Sequence, residues 1–344
     1  RWRSTKNYWV RGVFDMLGRK SENILIVKAD GLVSFVQTEP LFEAIRDANP
    51  HAKISLLTTP ALQRIARAAP YFDQVAALPD FKVVEAKQAF IRQLKGAHFA
   101  RIFDLSADEE SFKLKTALGA FGPKWFTFDP GSKKRLRRGL AEALPDNSKF
   151  YNETGVKSPS RLPDFRWALS ARKDSANMQP SWFGVSGDFG LLLPGSDPER
   201  RWPAAHYAQL ARKMAQSRMM PVLAGGKDLH GIGDEISNEA PEIVDLTGKT
   251  DHLQLSALAQ EAKFFVSDNS EEMHLALSVG CAGVVLRKAA EQGASPAGRH
   301  IVTLTAKEQL GEASADFVWR TLLNMGLVPN QNARPQPQPR KVAR

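Results

Sequence analysis

The stretch that decides the fold is NILIVKADGLVSFVQTEPLFEAI, residues 23–45. Asn23–Lys28 is a short apolar run rich in β-branched residues, the pattern of a strand buried on both faces. A turn at Ala29-Asp30-Gly31 follows, and then a helical segment near Glu39–Ala48. Working outward, Lys53–Thr58 (KISLLT) reads as a second strand, and Pro60 opens the next helix, where its missing N–H costs nothing. Arg101–Leu105 and Lys124–Phe128 read as further strands with helical stretches between them. Strands alternating with helices at this spacing predict a parallel sheet covered on both sides.

The rhythm stops where polar, Pro and Gly residues cluster, and then begins again. Strands are expected at Phe189–Leu193, Met219–Ala224, Phe264–Ser267 and Gly283–Leu286, and helices at Pro203–Gln216, Leu253–Glu261 and Glu271–Val279. The expected layout is a basic, aromatic segment 1–20, a Rossmann-like domain 21–170, a linker 171–187, a second Rossmann-like domain 188–328 and a Pro-rich tail 329–344. Two such domains imply a cleft, with ligands beyond the carboxyl ends of the strands.

Composition removes several function classes. Hydrophobic residues at 43% and charged residues at 24% exclude a largely disordered chain. No run approaches the roughly 18 apolar residues of a membrane-spanning helix. The lone Cys281 excludes an internal disulfide and a cysteine-built zinc site, which fits a reducing compartment. Of the net +10, residues 1–20 carry +5 and residues 334–344 carry +4, so the body is nearly neutral. A nucleic-acid-binding domain needs a basic face on the body and is not expected. Basic ends suit an anionic membrane surface or a protein partner. Val10, Phe14 and Leu17 share one helical face beside Trp9, which fits an interfacial helix or one packed on a neighbour. No GxGxxG and no P-loop follows the first strand, which argues against a dehydrogenase or a P-loop ATPase.

Four segments in order, VKADGLVSFVQTEPL (27–41), LLPGSDPERRWP (192–203), VDLTGKTDHLQLSAL (244–258) and FFVSDNSEEMHLALSVG (264–280), resemble glycosyltransferase family 9, the bacterial ADP-heptose–lipopolysaccharide heptosyltransferases. The resemblance runs over about residues 22–325 and implies an α/β GT-B fold of two Rossmann-like domains, with the acceptor on the first and an ADP-heptose-like nucleotide-sugar on the second. It implies inverting transfer to a lipopolysaccharide core acceptor, no cofactor or metal, and a cytoplasmic location at the inner membrane face. Transfer needs a base for the acceptor hydroxyl and a cradle for the departing diphosphate.

The family places the base in a Gly-Asp turn, and here that pair is Val33-Ser34, leaving Asp30 as the candidate base or a simple turn residue. The family's Asp-Ser/Thr-Gly-x-x-His motif reads Asn269-Ser270-Glu271-Glu272-Met273-His274. Glu271 and Glu272 stand where a diphosphate would lie. Two unit charges 4 Å apart repel by about 4 kcal/mol at an effective dielectric of 20, near a thousandfold in affinity. By the resemblance Ser196, Arg200, Arg201, Asp228, Thr250, Asn269, Ser270 and His274 would line the nucleotide-sugar site, with helix capping or solvated surface as their alternative reading. The expected closing loop, Arg287–Gly293, reads more like a helical turn. The basic run Lys133, Lys134, Arg135, Arg137 and Arg138 suits an acidic acceptor, or is a solvated helix face. Three departures in one site point to a transferase whose activity is impaired or lost. The competing readings are a non-catalytic scaffold of a membrane-associated assembly held through its basic ends, and a nucleotide-binding regulator.

Overall fold

The computed structural model describes residues 21–79, 83–119, 122–129, 146–168, 170, 176–268, 270–291 and 300–329. The basic ends, the run 133–138 and Asn269 lie outside the described residues. The chain divides into two compact units, Arg1–Trp167 and Ala168–Arg344. No described helix is long and apolar enough to cross a membrane.

The first unit holds strands β1 (Asn23–Val27), β2 (Lys53–Thr58), β3 (Gln74–Ala77), β4 (Arg101–Asp104) and β5 (Lys124–Thr127). They form one parallel sheet in the order β3-β2-β1-β4-β5. Its helices are α1 (Leu32–Ala48), α2 (Gln63–Ala68), α3 (Val84–Gly96), α4 (Glu109–Leu118) and α5 (Ser148–Thr154). The strand order reverses between β1 and β4, so the loops leaving those two strands diverge and open a crevice at their carboxyl ends. Right-handed crossovers then place α3 and α4 on one face, over Leu25, Val27, Leu57, Ile102 and Leu114.

Helix α1 begins at Leu32, seven residues before the expected Glu39. Gly31 at φ +119° lets the chain turn straight from strand to helix, and Pro40 sits inside the helix instead of opening it. The buried side chains Leu32, Phe35, Phe42 and Ile45 hold the helix together across the proline.

The second unit is a six-stranded parallel sheet, β11-β10-β9-β6-β7-β8. Its strands are β6 (Phe189–Leu193), β7 (Met220–Gly225), β8 (Val244–Thr247), β9 (Phe264–Ser267), β10 (Gly283–Lys288) and β11 (Ile301–Ala306). The helices are α6 (Ala204–Gln216), α7 (His230–Glu239), α8 (His252–Glu261), α9 (Met273–Ser278) and α10 (Ala315–Asn324). Its order reverses between β6 and β9. The core gathers Trp202, Tyr207, Leu210, Phe264, Val266 and Leu286.

Three sequence expectations change here. Of the expected linker, residues 176–187 pack with the second unit: Met178 and Val185 are buried, and Gln254 Nε2 donates to Asn177 O at 3.0 Å. Helix α9 starts at Met273 instead of Glu271, with Glu272 at its N-cap and Ser270 Oγ accepting from Met273 N at 3.2 Å. Strand β10 runs on through Arg287 and Lys288, where a helical turn was expected, because both residues pair in register with β11.

Candidate active site

In the first unit the crevice is built around a lysine. Lys28 follows β1 directly and its side chain is fully enclosed. Its Nζ donates to Ser34 Oγ at 2.7 Å, to Leu105 O at 2.8 Å and to Asp30 Oδ2 at 3.1 Å, with Asp30 Oδ1 at 3.0 Å. Burial lowers the Lys28 pKa, and the carboxylates of Asp30, Asp104 and Asp108 act against that fall. The Asp30 side chain is 19% exposed, so it reaches solvent while neutralising the lysine.

The opposite wall comes from β4. Ala29 N–H donates to Ser106 Oγ at 2.7 Å, tying the two strand exits together. Asp104 is buried, and its Oδ1 accepts from Ser106 N (3.2 Å) and Ala107 N (3.0 Å) while Ala107 adopts φ +49°. Burial raises the Asp104 pKa. Beside Ser34 lies a cavity of about 280 Å³ lined by Gln37, Thr38, Phe128, Tyr151 and Arg161 among others. Arg161 is engaged by buried Glu39, with Nη1 to Oε2 at 2.7 Å and Nη2 to Oε1 at 2.8 Å. Tyr71 O–H donates to the same carboxylate.

Sequence reasoning singled out Asp30 and Ser34 and missed Lys28, Asp104 and Ser106. The available signal was the lysine closing an apolar strand, since an ammonium at that position must find partners in the next turns.

In the second unit the β6 and β9 exits are joined by Asp268. Its Oδ1 accepts from Gly195 N and its Oδ2 from Trp202 N at 2.7 Å. Burial pushes its carboxyl up to about 6, opposed by those N–H donors. Tyr207 is buried beside it, its phenol raised well above the ordinary value by burial and by the Asp268 charge. Both Asp268 oxygens are taken, so this residue secures the 194–202 loop and does not stand in for the family's acid. A Cβ at Gly195 would come within 2.9 Å of Asp268 Oδ1, so glycine lets the loop close on this carboxylate.

The other candidates are placed as follows. Arg201 donates from Nε to Gly195 O at 2.6 Å and from Nη2 to exposed Ser196's carbonyl at 2.8 Å, closing the loop on itself. Arg200 Nε donates to Asp197 Oδ2 at 2.7 Å on the surface. Ser270 is buried: its N–H donates to Ser267 Oγ at 3.1 Å and its Oγ accepts from Met273 N at 3.2 Å. Half-buried Thr250 lies between β8 and Asp251, the cap of α8. His274 is half-buried, and burial lowers its pKa.

Asp228 and Glu272 come together, which the sequence did not reveal. Asp228 Oδ1 fills the space where a side chain on Gly226 would stand, and Glu272 Oε1 lies 3.8 Å from that same point. Burial pushes the Glu272 carboxyl up to about 7, with the charges of Glu271 and Asp228 adding to the rise. Three carboxylates therefore share the β7 and β9 exits. Among the described residues no group of three or more His, Cys, Asp or Glu is arranged to hold a metal ion.

The sequence model of "Glycosyltransferase family 9 (heptosyltransferase)" matches residues 142–305, a narrower stretch than 22–325. Lipopolysaccharide heptosyltransferase 2 of Salmonella typhimurium is 28% identical over 140 residues, 38% of this chain and 40% of that protein. Lipooligosaccharide heptosyltransferase 2 of Haemophilus influenzae is 32% identical over 95 residues, 26% of this chain and 28% of that protein. The matched stretches thus span well under half the length of these curated relatives.

Among solved structures, E. coli ADP-heptose lipopolysaccharide heptosyltransferase II superposes with TM-score 0.70 at 18% identity, covering 88% of this chain and 98% of that one. E. coli heptosyltransferase WaaC with ADP gives TM-score 0.70 at 15% identity, covering 88% and 99%. The fold is GT-B-like, with two parallel-sheet α/β units. Over residues 142–305 the chain is thus similar in sequence to glycosyltransferase family 9, and its fold is that of the family's solved structures.

Proposed function

We propose that this chain is a heptosyltransferase-like protein of bacterial lipopolysaccharide assembly in which sugar transfer is impaired or lost. The observation that carries the reading is the charge balance around Lys28. One buried ammonium meets one carboxylate, Asp30, and at the family's base position a neutral hydroxyl, Ser34, accepts from the same ammonium. A carboxylate at 34 would leave the cluster with one surplus negative charge, available to take a proton from an acceptor hydroxyl. Here the carboxylate in contact with the ammonium, Asp30, is held by that counter-ion, and Asp104 and Asp108 act on Lys28 through their charge alone. Ser34 cannot take the role, since its oxygen already receives a cationic N–H.

On the donor side the residues that would meet an ADP-heptose-like diphosphate include Glu271, Glu272 and Asp228, which oppose it. Transfer in this family would invert the sugar carbon by direct displacement, with Asp30 as the remaining candidate base. The basic ends, residues 1–20 and 334–344, would hold the protein at the cytoplasmic face of the inner membrane or on a protein partner, as the scaffold alternative also requires.

The test is turnover of ADP-heptose with a truncated lipopolysaccharide acceptor, read as ADP release and acceptor mass. The wild-type chain is expected to turn over at least about a thousandfold more slowly than its relatives. Ser34→Asp is expected to raise that rate by tenfold or more. Wild-type turnover at the relatives' rate would overturn the reading.

A further inference from the structure

Sugar transfer gives Ser34 no role, but its surroundings suit another chemistry. Ser34 is half-buried in the first turn of α1 and lines the cavity of about 280 Å³. On its other side Oγ lies 2.7 Å from Lys28 Nζ. A hydroxyl open to a cavity and backed by an amine is a recurring nucleophile–base arrangement.

The oxygen atoms around Nζ fix which way that bond can run. As an ammonium, Lys28 donates to Ser34 Oγ, to Leu105 O at 2.8 Å and to Asp30 Oδ2 at 3.1 Å, and Ser34 is inert. As a neutral amine it keeps two protons. Leu105 O and the Asp30 carboxylate can only accept, so they take both, and the nitrogen lone pair is left facing Ser34. The hydrogen bond then reverses, and the hydroxyl gives its proton to the amine. Burial favours the neutral amine and outweighs the charges of Asp30, Asp104 and Asp108, which favour the ammonium.

The cavity and the helix end supply what an acyl group needs. Leu41, Phe128 and Tyr151 give apolar and aromatic walls, and Gln37 and Thr38 add uncharged polar atoms. Its cation, Arg161, is engaged by Glu39 and Glu43. A small site whose charge is already matched suits a small uncharged ligand better than an anion. Gly31 brings no side-chain cap to α1, and its first turn carries no acid. An oxyanion forming at Ser34 therefore meets the positive end of the helix.

We infer that Ser34 and Lys28 form a nucleophile–base pair that hydrolyses small uncharged carboxylic esters in alkaline solution. Ser34 Oγ bonds to the acyl carbon while its proton passes to Lys28 Nζ. The carbon–oxygen bond to the alcohol then breaks, and the alcohol leaves with that proton. Water attacks the acyl-serine, Nζ takes its proton and returns it to Ser34 Oγ, and the acid departs. The net reaction is ester plus water to acid plus alcohol. It goes beyond the transferase reading and needs no nucleotide-sugar.

The full-length chain is treated with phenylmethylsulfonyl fluoride, which sulfonylates activated serines, between about pH 7 and 10. Peptide mass spectrometry should place the adduct on Ser34. Its rate should rise about tenfold per pH unit and level off once Lys28 has lost its proton. Hydrolysis of p-nitrophenyl acetate should follow the same profile, and Ser34→Ala should remove about nine-tenths or more of the protein-dependent rate. Lys28→Arg keeps a cation that holds its proton, and should cut labelling of Ser34 by about tenfold or more, with circular dichroism checking the fold. Should that variant fail to fold, the wild-type pH profile and Ser34→Ala still decide. No adduct on Ser34 at any of these pH values, labelling indifferent to pH, or undiminished ester hydrolysis by Ser34→Ala overturns the inference.

Discussion

Replacing Glu272 by glutamine removes a charge while keeping the shape of the side chain, and the structure fixes what should follow. The Glu272 carboxyl titrates near 7 where a free glutamate titrates near 4.5, because it is half-buried and faces Glu271 and Asp228. The folded chain therefore holds this proton at pH values where the unfolded chain has released it. Stability falls as pH rises from about 4.5 through 7 and is level above that. The full gap corresponds to about 3 kcal/mol, and partial contact with water reduces it to about 2 kcal/mol. Glu272→Gln should thus stabilise the second unit by about 2 kcal/mol at pH 8 and leave it unchanged at pH 4, as read from urea unfolding at both values.

The same substitution has a binding readout. A carboxylate charge about 4 Å from a phosphate opposes binding by about 4 kcal/mol at an effective dielectric of 20, and less where water intervenes. Calorimetry at pH 8 should show ADP binding strengthened by about ten- to a hundredfold in the variant, with the gain fading toward pH 6 as the wild-type carboxyl takes up its proton. Equal stability and equal ADP affinity for the two proteins at both pH values would refute the account of this site.

Other outcomes follow from the two strand-exit clusters. Lys28→Met leaves Asp30 without its cation and Leu105 O without a donor, and should destabilise the first unit by about 2–4 kcal/mol. The double change Lys28→Met, Asp30→Asn should cost less than the single one, measured as a double-mutant cycle by chemical denaturation. Asp268→Asn must turn its NH₂ toward Gly195 N–H or Trp202 N–H, and should cost about 2–3 kcal/mol with faster amide exchange at both residues.

Much of the scaffold was readable because its central strands are unbroken apolar runs. NILIV, KISLLT, FGLLL and FFVS each lie in the interior of a sheet, and burial on both faces leaves little choice of residue. Strands β3, β8 and β11 escaped notice because all three stand at sheet edges, where QVAA, VDLT and IVTLTA keep part of their surface in water. The start of α1 lies earlier than the segment near Glu39–Ala48 because Gly31 turns the chain directly from strand into helix and Pro40 is held within it.

At the site, the position of Ser34 could be read from its distance to Thr38-Glu39-Pro40, but its partner could not. Lys28 reaches Ser34 from six residues earlier, but it is aimed there by Leu105 O, 77 residues further along the chain. The approach of Asp228 to Glu272 likewise depends on two separate strand exits, and local pattern carries no trace of it. Asp268 stands at the end of an apolar strand, and only its two N–H partners, from another loop, reveal a fastening.

The Gly195–Asp268 contact has a bearing on how such a chain changes over time. Because a side chain at 195 and a carboxylate at 268 compete for one small volume, neither position can mutate freely while the other stays as it is. A larger residue installed at 195 first would meet the carboxylate, and loss of the carboxylate first would unfasten the loop. Any exchange at this pair must therefore pass through a less stable intermediate unless both positions change together.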